Sequence, residues 1–416
     1  MHYRLSTLDN GLRVITEHMP EVRSVAIGCW VDTGTRDELA NEAGCSHFLE
    51  HLLFKGTEEL TARDISDAFD AVGGQSNAFT SKDYTCYWAR LMDEDLPMGL
   101  GLLSEMLQRP AFRPTEIEAE RQVVLEEINM HEDDPGDVAH EQFFQALWAG
   151  HPLERPVLGT RESIRGMGRE DILGYWRRRY QPASLVVAVA GHLGHDRVVE
   201  QVTEHFGDWS GESIEHGYSE AVVEPRVKLV SKETEQAHLV LGGEGLERAD
   251  DRRFAFDVMN HVLGGGMSSR LFREIREERG LAYSVYSFRA PHAETGAYGV
   301  YVGTTPTQTA TVLELVHQEL DKMARAGLFV EELERAKSHQ KGRLALSLED
   351  PNSRMTRLGR TELAGMEHLE VDEVIRRVEE VTAADVVAVA GDLFEAPRVI
   401  GAVGPFAPAD LEPFVR

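Results

Sequence analysis

Hydrophobic and polar positions alternate along the first segments of the chain, and a helical period then replaces the alternation. Residues 12–16 and 25–31 carry β-branched side chains in an alternating pattern, which predicts two neighbouring strands. The spacing of apolar residues then predicts helices over about 43–55 and 61–72. Further predicted elements of the first half are a strand at 84–88, helices at 96–108 and 115–131, and a buried strand at 185–191.

The second half of the chain repeats this plan. Its predicted elements are strands near 227–230 and 238–241, helices over 252–263 and 332–344, and a closing strand at 399–404. The closing strand has the same apolar-then-glycine pattern as residues 185–191. We therefore predict a duplicated α+β fold, in which each copy is an antiparallel-rich sheet covered by helices.

A change of composition separates the two copies. Between Gly207 and Glu224 the chain is rich in Gly, Ser, Glu and His and has no periodicity, which is typical of a linker. We predict one domain over residues 1–212, a linker over 213–224 and a homologous domain over 225–416.

Composition and charge narrow the classes of partner. Hydrophobic residues make up 42% of the 416 positions and charged residues 27%, as in globular proteins with large cores. The net charge of -28 repels nucleic acid and anionic membranes, so neither is expected as a partner.

No segment resembles a signal peptide or a transmembrane helix, so we expect a cytoplasmic protein. Cys29, Cys45 and Cys86 are too sparse for a disulfide framework and are expected to be small buried residues.

A histidine-rich helix is the strongest candidate for chemistry. His47, Glu50 and His51 stand at positions i, i+3 and i+4, so their side chains fall within one arc of the helix. Two imidazoles one turn apart can hold one metal ion, and zinc is the expected ion because it accepts neutral imidazole. Glu50 is placed to take a proton from a water molecule at such a site.

A catalytic zinc site needs a third protein ligand, and the helix over 115–131 offers three glutamates for it. Glu120 and Glu127 are seven residues apart and share one helix face, so that one could bind the metal while the other holds a ligand histidine. Glu126 points about 100° away from them. The periodicity does not choose among the three.

Two further segments have ordinary interpretations on composition alone. Residues 73–80 form a turn that leads into a strand, and a peptide could add to this strand if it lies at a sheet edge. Arg276 and Tyr283 belong to a charged helix end that runs into another strand, which indicates a solvated surface.

The sequence from His47 to His51, with the Phe54-Lys55-Gly56-Thr57 that follows, resembles the zinc helix of the pitrilysin-type, or inverzincin, metallopeptidases. The chain is most similar to the bacterial relatives of the mitochondrial processing peptidase. The resemblance implies that Glu127, 76 residues after His51, is the third ligand, and that Glu120 is an additional acidic residue near the metal.

The resemblance also implies roles outside the zinc helix. Residues 74–78 are similar to the family segment that leads into the substrate-binding edge strand, so Asn77 and Ala78, with Phe79 beside them, are expected to contact peptide. Arg276 and Tyr283 have the spacing of an Arg and a Tyr that reach the substrate in family members with two halves, and would donate to a developing oxyanion.

Taken together, these features predict a zinc endopeptidase with one zinc ion per chain and peptide as its substrate. The family resemblance implies that the chain forms half of a clamshell and pairs with a second copy or with a homologous subunit. The rival interpretation is a metal-free scaffold or substrate-binding subunit of a peptidase complex. Scaffold relatives lose the histidines or the glutamates, whereas this chain retains all of them.

Overall fold

The computed structural model describes residues 3–212 and 216–415, so residues 213–215 of the predicted linker lie outside the described part. The chain forms two compact units. Unit 1 comprises the residues up to Asn129 together with Arg155–Gly217 and Ala345–His368. Unit 2 comprises Met130–Glu154, Tyr218–Leu344 and the residues from Leu369 onward.

Strands and helices alternate in groups along the described residues. The strands are β1 (Tyr3–Thr7), β2 (Arg13–His18), β3 (Ser24–Val31), β4 (Gln75–Thr80), β5 (Thr85–Met92), β6 (Leu185–Gly191), β7 (Arg226–Ser231), β8 (Ala237–Gly245), β9 (Ala282–Pro291), β10 (Gly296–Thr304) and β11 (Arg398–Gly404). The α-helices are α1 (Cys45–Leu53), α2 (Ala62–Ala71), α3 (Leu96–Gln108), α4 (Pro114–Asp133), α5 (Pro135–Leu147), α6 (Arg161–Gly166), α7 (Arg169–Arg179), α8 (His195–Phe206), α9 (Arg253–Gly264), α10 (Thr309–Ala326), α11 (Val330–Ser347), α12 (Pro351–Leu363), α13 (Val371–Glu380), α14 (Ala383–Phe394) and α15 (Pro408–Leu411).

The two sheets have the same topology. The sheet of unit 1 has the order β1-β2-β6-β3-β5-β4, and the sheet of unit 2 has the order β7-β11-β8-β10-β9. In each sheet one pair is parallel, β2 with β6 and β7 with β11, and the other pairs are antiparallel. The prediction of a duplicated α+β fold with antiparallel-rich sheets is therefore confirmed, and β1 is an addition to the first copy.

In unit 1 the two faces of the sheet are covered by different parts of the sequence. One face packs against seven helices of the first half, which are α1, α2, α3, α4, α6, α7 and α8. The other face packs against α12, whose Met355 and Leu358 join a core cluster with Trp30 of β3. Gly359 permits this close contact, because a Cβ atom there would lie 2.1 Å from the Trp30 indole nitrogen.

Unit 2 shows the reciprocal arrangement. Helix α5 comes from the first half of the sequence and packs on the sheet of the second half, with Phe143 in a core cluster that includes Val240 and Val399. Gly401 of β11 lies directly beneath the helix, because a Cβ atom there would lie 2.1 Å from the backbone nitrogen of Phe143. The units therefore differ from the predicted domains 1–212 and 225–416 in the placement of these two helices, each of which buries its apolar face against the other copy's sheet.

All three cysteines are buried and unpaired, as predicted. Across residues 3–212 and 216–415, every helix is too short or too polar to cross a lipid bilayer.

Substitution of Gly401 tests the contact between α5 and the second sheet. Gly401→Ala is expected to destabilise the protein by about 1–3 kcal/mol, since the new methyl group meets helix backbone that no side-chain rotation can move away. Gly391→Ala in α14 is the matched control, because no atom outside its own helix lies within 4 Å of the added Cβ. The midpoint of thermal unfolding should fall for the first variant and stay level or rise for the second. Equal midpoints would refute the close contact.

Candidate metal centre

Three side chains from two helices of unit 1 converge on one point. His47 and His51 lie on α1, and Glu127 lies on α4. The Nε2 atoms of the two histidines are 3.2 Å apart, and the Oε2 atom of Glu127 lies 3.5 Å from each of them. This is the one group of three or more His, Cys, Asp or Glu residues within 3–212 and 216–415 whose ligand atoms are close enough to share a metal ion.

The dimensions and hydrogen bonding of this triangle suit a zinc ion. Ligands placed tetrahedrally about 2.0–2.1 Å from zinc are about 3.3–3.4 Å from one another. The Glu127 Oε2 atom is buried and has no hydrogen-bond partner among the described residues, which is costly for a carboxylate unless a cation meets it. Burial, as the main cause, and the neighbouring His51, as the lesser one, lower the pKa of His47 to about 3. The imidazole is therefore neutral and available as a ligand.

Glu120 orients one of the histidines. It is buried on α4, and its Oε1 atom lies 2.9 Å from Nδ1 of His51, while its Oε2 atom accepts a 2.8 Å bond from Nζ of Lys55. Burial opposes the charge on Glu120, but the bonds from His51 and Lys55 outweigh it and lower the pKa of the carboxyl. A carboxylate on Nδ1 leaves Nε2 of His51 directed at the centre of the triangle.

Glu126 lies apart from the other two glutamates of α4. Its side chain is exposed and accepts a 2.8 Å hydrogen bond from Nδ2 of Asn129, away from the triangle. The helix periodicity thus separates Glu126 from the shared face of Glu120 and Glu127, as the sequence indicated.

Glu50 lies beside the triangle without being part of it. Its Oε2 atom accepts a 2.5 Å hydrogen bond from the hydroxyl of Thr80, at the end of β4. Burial raises the pKa of the Glu50 carboxyl, and the bond from Thr80 only partly offsets this effect. A partly buried carboxylate with one oxygen held and the other available is suited to accept a proton.

The N-terminus of the histidine helix is anchored by a residue that sequence reasoning missed. Glu38 is buried, and its two oxygens accept hydrogen bonds of 2.8 and 2.7 Å from the backbone N–H groups of Gly44 and Ser46. Helix α1 begins at Cys45, later than the predicted start near residue 43. Gly44, just before the helix, adopts a φ of 86°, and in this conformation its own N–H group and that of Ser46 point toward Glu38. An acidic residue ahead of a glycine and a short helix is the signal that could have indicated this contact.

The predicted peptide-contacting residues lie on an edge strand. β4 pairs with β5 on one side and is the last strand of its sheet. Ala78 faces the core and α1, whereas Asn77 and Phe79 are exposed on the opposite face. The Asn77 side-chain oxygen accepts a 2.8 Å hydrogen bond from the backbone N–H of Ala78.

Arg276 and Tyr283 are neighbours within unit 2. The Arg276 guanidinium lies over the Tyr283 ring at 4.7 Å and over the Phe272 ring at 4.8 Å. Arg276 belongs to a π-helical segment, Phe272–Glu278, and Tyr283 lies in a β-bulge at the start of the edge strand β9, where 75% of its surface is exposed. Bulges and π-helical turns redirect side chains, and neither was predicted from the sequence.

Comparison with known proteins agrees with the zinc-site geometry. Residues 13–161 match the family model described as insulinase, peptidase family M16, and residues 166–339 match the model described as the peptidase M16 inactive domain. The chain is 44% identical over 410 residues to an uncharacterized zinc protease of Streptomyces coelicolor, in an alignment that covers 97% of this chain and 89% of that protein. It is 40% identical over 399 residues to an uncharacterized zinc protease of Bacillus subtilis, with 96% and 97% covered.

Solved structures share the fold. A protease from Helicobacter pylori superimposes with a TM-score of 0.91 at 24% identity, covering 96% of this chain and 99% of that one. A peptidase M16 inactive domain from Pseudomonas fluorescens has a TM-score of 0.92 at 20% identity, with 98% of both chains covered. The whole-length identity to zinc proteases, the two matched models and the shared fold lead to one conclusion: the chain belongs to the pitrilysin-type peptidase family M16.

Proposed function

We propose that this chain is a zinc endopeptidase that holds one zinc ion through His47, His51 and Glu127. The observation that carries the proposal is the triangle of two imidazole nitrogens and one buried carboxylate oxygen, with sides of 3.2 and 3.5 Å and no hydrogen bond to that oxygen among the described residues. A site with three protein ligands leaves a position for reactants, as catalytic rather than structural zinc requires.

Glu50 is the proposed base. Zinc at this site would supply a Lewis acid that lowers the pKa of a water molecule to about 7. The Oε1 atom of Glu50 accepts the proton of that water molecule, because its Oε2 atom already accepts a hydrogen bond from the hydroxyl of Thr80. The raised pKa of Glu50 suits it to retain that proton and then deliver it to the leaving amine nitrogen.

The edge strand β4 is the proposed binding site for the peptide. The Ser81 N–H donates to the carbonyl of Tyr84, so the alternation of antiparallel pairs directs the backbone groups of Ser76, Ala78 and Thr80 away from β5. An extended peptide could add there by main-chain pairing, with Ala78 exchanging its bond to the Asn77 side chain for one to the substrate. Such pairing needs no free chain end, which favours internal cleavage.

The second domain completes the proposal. Arg276 and Tyr283 would donate hydrogen bonds to the oxyanion that develops on the scissile carbonyl. Their stacking holds the guanidinium and the phenol together, and the exposure of Tyr283 leaves its ring accessible to a ligand. We also propose that the active form contains a second copy of the chain or a homologous subunit.

A substrate-binding subunit without catalysis is the second candidate function. It is favoured by the match of residues 166–339 to a model described as an inactive domain. That segment excludes the zinc triangle and Glu50, which lie within the residues matched by the other model. The complete set of ligands and base therefore favours the enzyme.

Replacement of Glu50 tests the proposed base. Glu50→Gln should lower the rate of peptide cleavage by about 10²–10⁴-fold, since the amide cannot accept the proton. Zinc content, measured by metal analysis of the purified protein, should remain that of the wild type. Glu59→Gln, at an exposed position after the same helix, is the control and should cleave normally. Undiminished cleavage by Glu50→Gln would remove Glu50 as the base.

Replacement of adjacent glutamates tests the third ligand. Glu127→Gln should weaken zinc binding by at least about tenfold, because it removes the anionic ligand, whereas Glu126→Gln should bind zinc like the wild type. Titration against a competing chelator measures both affinities. Equal losses in the two variants, or none in either, would contradict the assignment of Glu127.

Replacement of tyrosines on β9 tests the role of the second domain. Tyr283→Phe should lower kcat by about 10²–10³-fold through loss of one oxyanion donor, with zinc content unchanged. Tyr286→Phe is the matched control, since the hydroxyl of Tyr286 lies 3.2 Å from Nε2 of His140 and has another partner. Steady-state kinetics on one peptide separates kcat from KM. A change in KM alone would assign Tyr283 to binding instead.

A further inference from the structure

The two faces of the edge strand β4 have different surroundings. On one face Ala78 packs in the core with α1, and Thr80 donates its hydroxyl to Glu50. On the other face the Phe79 ring is 37% exposed and lies 5.6 Å from the Trp30 ring, against which α12 packs. A peptide strand added to β4 would present alternate side chains to these two faces.

An arginine from α12 is held above the second face. The guanidinium of Arg360 lies 5.6 Å from the centre of the Tyr84 ring, and that ring lies 6.3 Å from the ring of Phe79 and 5.5 Å from that of Trp30. Stacking on an aromatic ring fixes the plane of a guanidinium and leaves its N–H groups directed outward along the edges. Arg360 itself is exposed.

No carboxylate of the described residues neutralises this guanidinium. Arg360 makes no ion pair and no side-chain hydrogen bond within residues 3–212 and 216–415, although the chain has 71 acidic residues against 43 Lys and Arg. Glu362, two residues further along the chain, pairs with Arg13. Asp350, just before α12, pairs with Arg90, and Asp83, beside Tyr84, pairs with Arg36.

We propose that Arg360, with Phe79 and Tyr84, forms a substrate subsite that binds the carboxylate of an Asp or Glu side chain in the bound peptide. The proposal rests on the proposed function, in which the peptide adds to β4. A guanidinium presents paired N–H groups that match the two oxygens of a carboxylate. Phe79 and Tyr84 provide apolar surface for the methylene groups of the same side chain.

The subsite predicts a preference that depends on position. Because side chains alternate along an added strand, an acidic residue should be favoured only where it faces the α12 side of β4. The overall charge of -28 has the opposite tendency, since it favours basic residues at every position of the peptide. This general attraction is screened by salt. A preference for Glu at one position or at alternate positions, retained at moderate salt, therefore distinguishes local recognition from the general field.

Peptide binding to the zinc-loaded Glu50→Gln protein tests the subsite separately from cleavage. The peptides are acetylated and amidated, so that their one carboxylate comes from a single residue placed at each position in turn as Glu, Gln or Lys. Fluorescence anisotropy should show about two- to fivefold tighter binding of Glu than of Gln at one position or at alternate positions. Replacing Arg360 with Gln in this protein should abolish that ratio, and Arg360→Glu should shift the preference to Lys.

The control and the cleavage assay complete the test. Arg197→Gln changes the net charge equally at an exposed site on α8, and should leave the Glu-to-Gln ratio intact. Absence of a Glu preference at every position, or its persistence in Arg360→Gln, would overturn the proposal, as would equal loss in both variants. Cleavage of a neutral peptide by the wild type is measured in parallel. Its absence counts against the proposed endopeptidase, whereas the binding ratios still decide independently whether Arg360 recognises a carboxylate.

Discussion

The exchange of α5 and α12 between the two halves of the sequence is the packing constraint on which the rest of the structure depends. Each sheet has two apolar faces, and the helices of its own half cover only one of them. The second face is buried by a helix from the other half, at a distance that only glycine allows at Gly359 and Gly401. Neither half of the sequence therefore contains all the residues of its own core, so each copy needs a helix from the other to bury its sheet.

The candidate metal centre depends on buried contacts made by residues outside the histidine motif. The histidine helix α1 has nine residues, too few to be stable by itself in water. Glu38 holds its first turn through two backbone hydrogen bonds, and Glu120 contacts His51 in its last turn and Lys55 just after the helix. Both carboxyl groups are buried, and burial raises the pKa of Glu38 to about 8 despite the bonds it accepts. Positions of the ligand nitrogens thus depend on residues outside the motif.

Local features of the fold could be predicted from the sequence, and long-range ones could not. Alternation and helical periodicity gave the strands and helices near their observed ends, and placed His47, Glu50 and His51 on one arc, because these properties depend on neighbours in sequence. The choice of Glu127 needed a family resemblance, since periodicity leaves Glu120 equally suitable. The exchanged helices, the anchor at Glu38 and the contact from Thr80 to Glu50 depend on packing between distant segments, which no local pattern encodes.

The duplication also explains how one fold supplies two different edge strands. β4 and β9 occupy equivalent positions at the ends of their sheets, yet β4 has a regular register with β5, whereas β9 has a bulge at Tyr283. A regular edge presents evenly spaced backbone groups and is suited to bind an extended chain. A bulged edge interrupts that ladder and instead redirects one side chain, here stacked with Arg276. Divergence of the two copies has thus left one edge with a regular row of backbone groups and the other with a redirected side chain, and α12 adds to the first edge an arginine that the first half of the sequence does not contain.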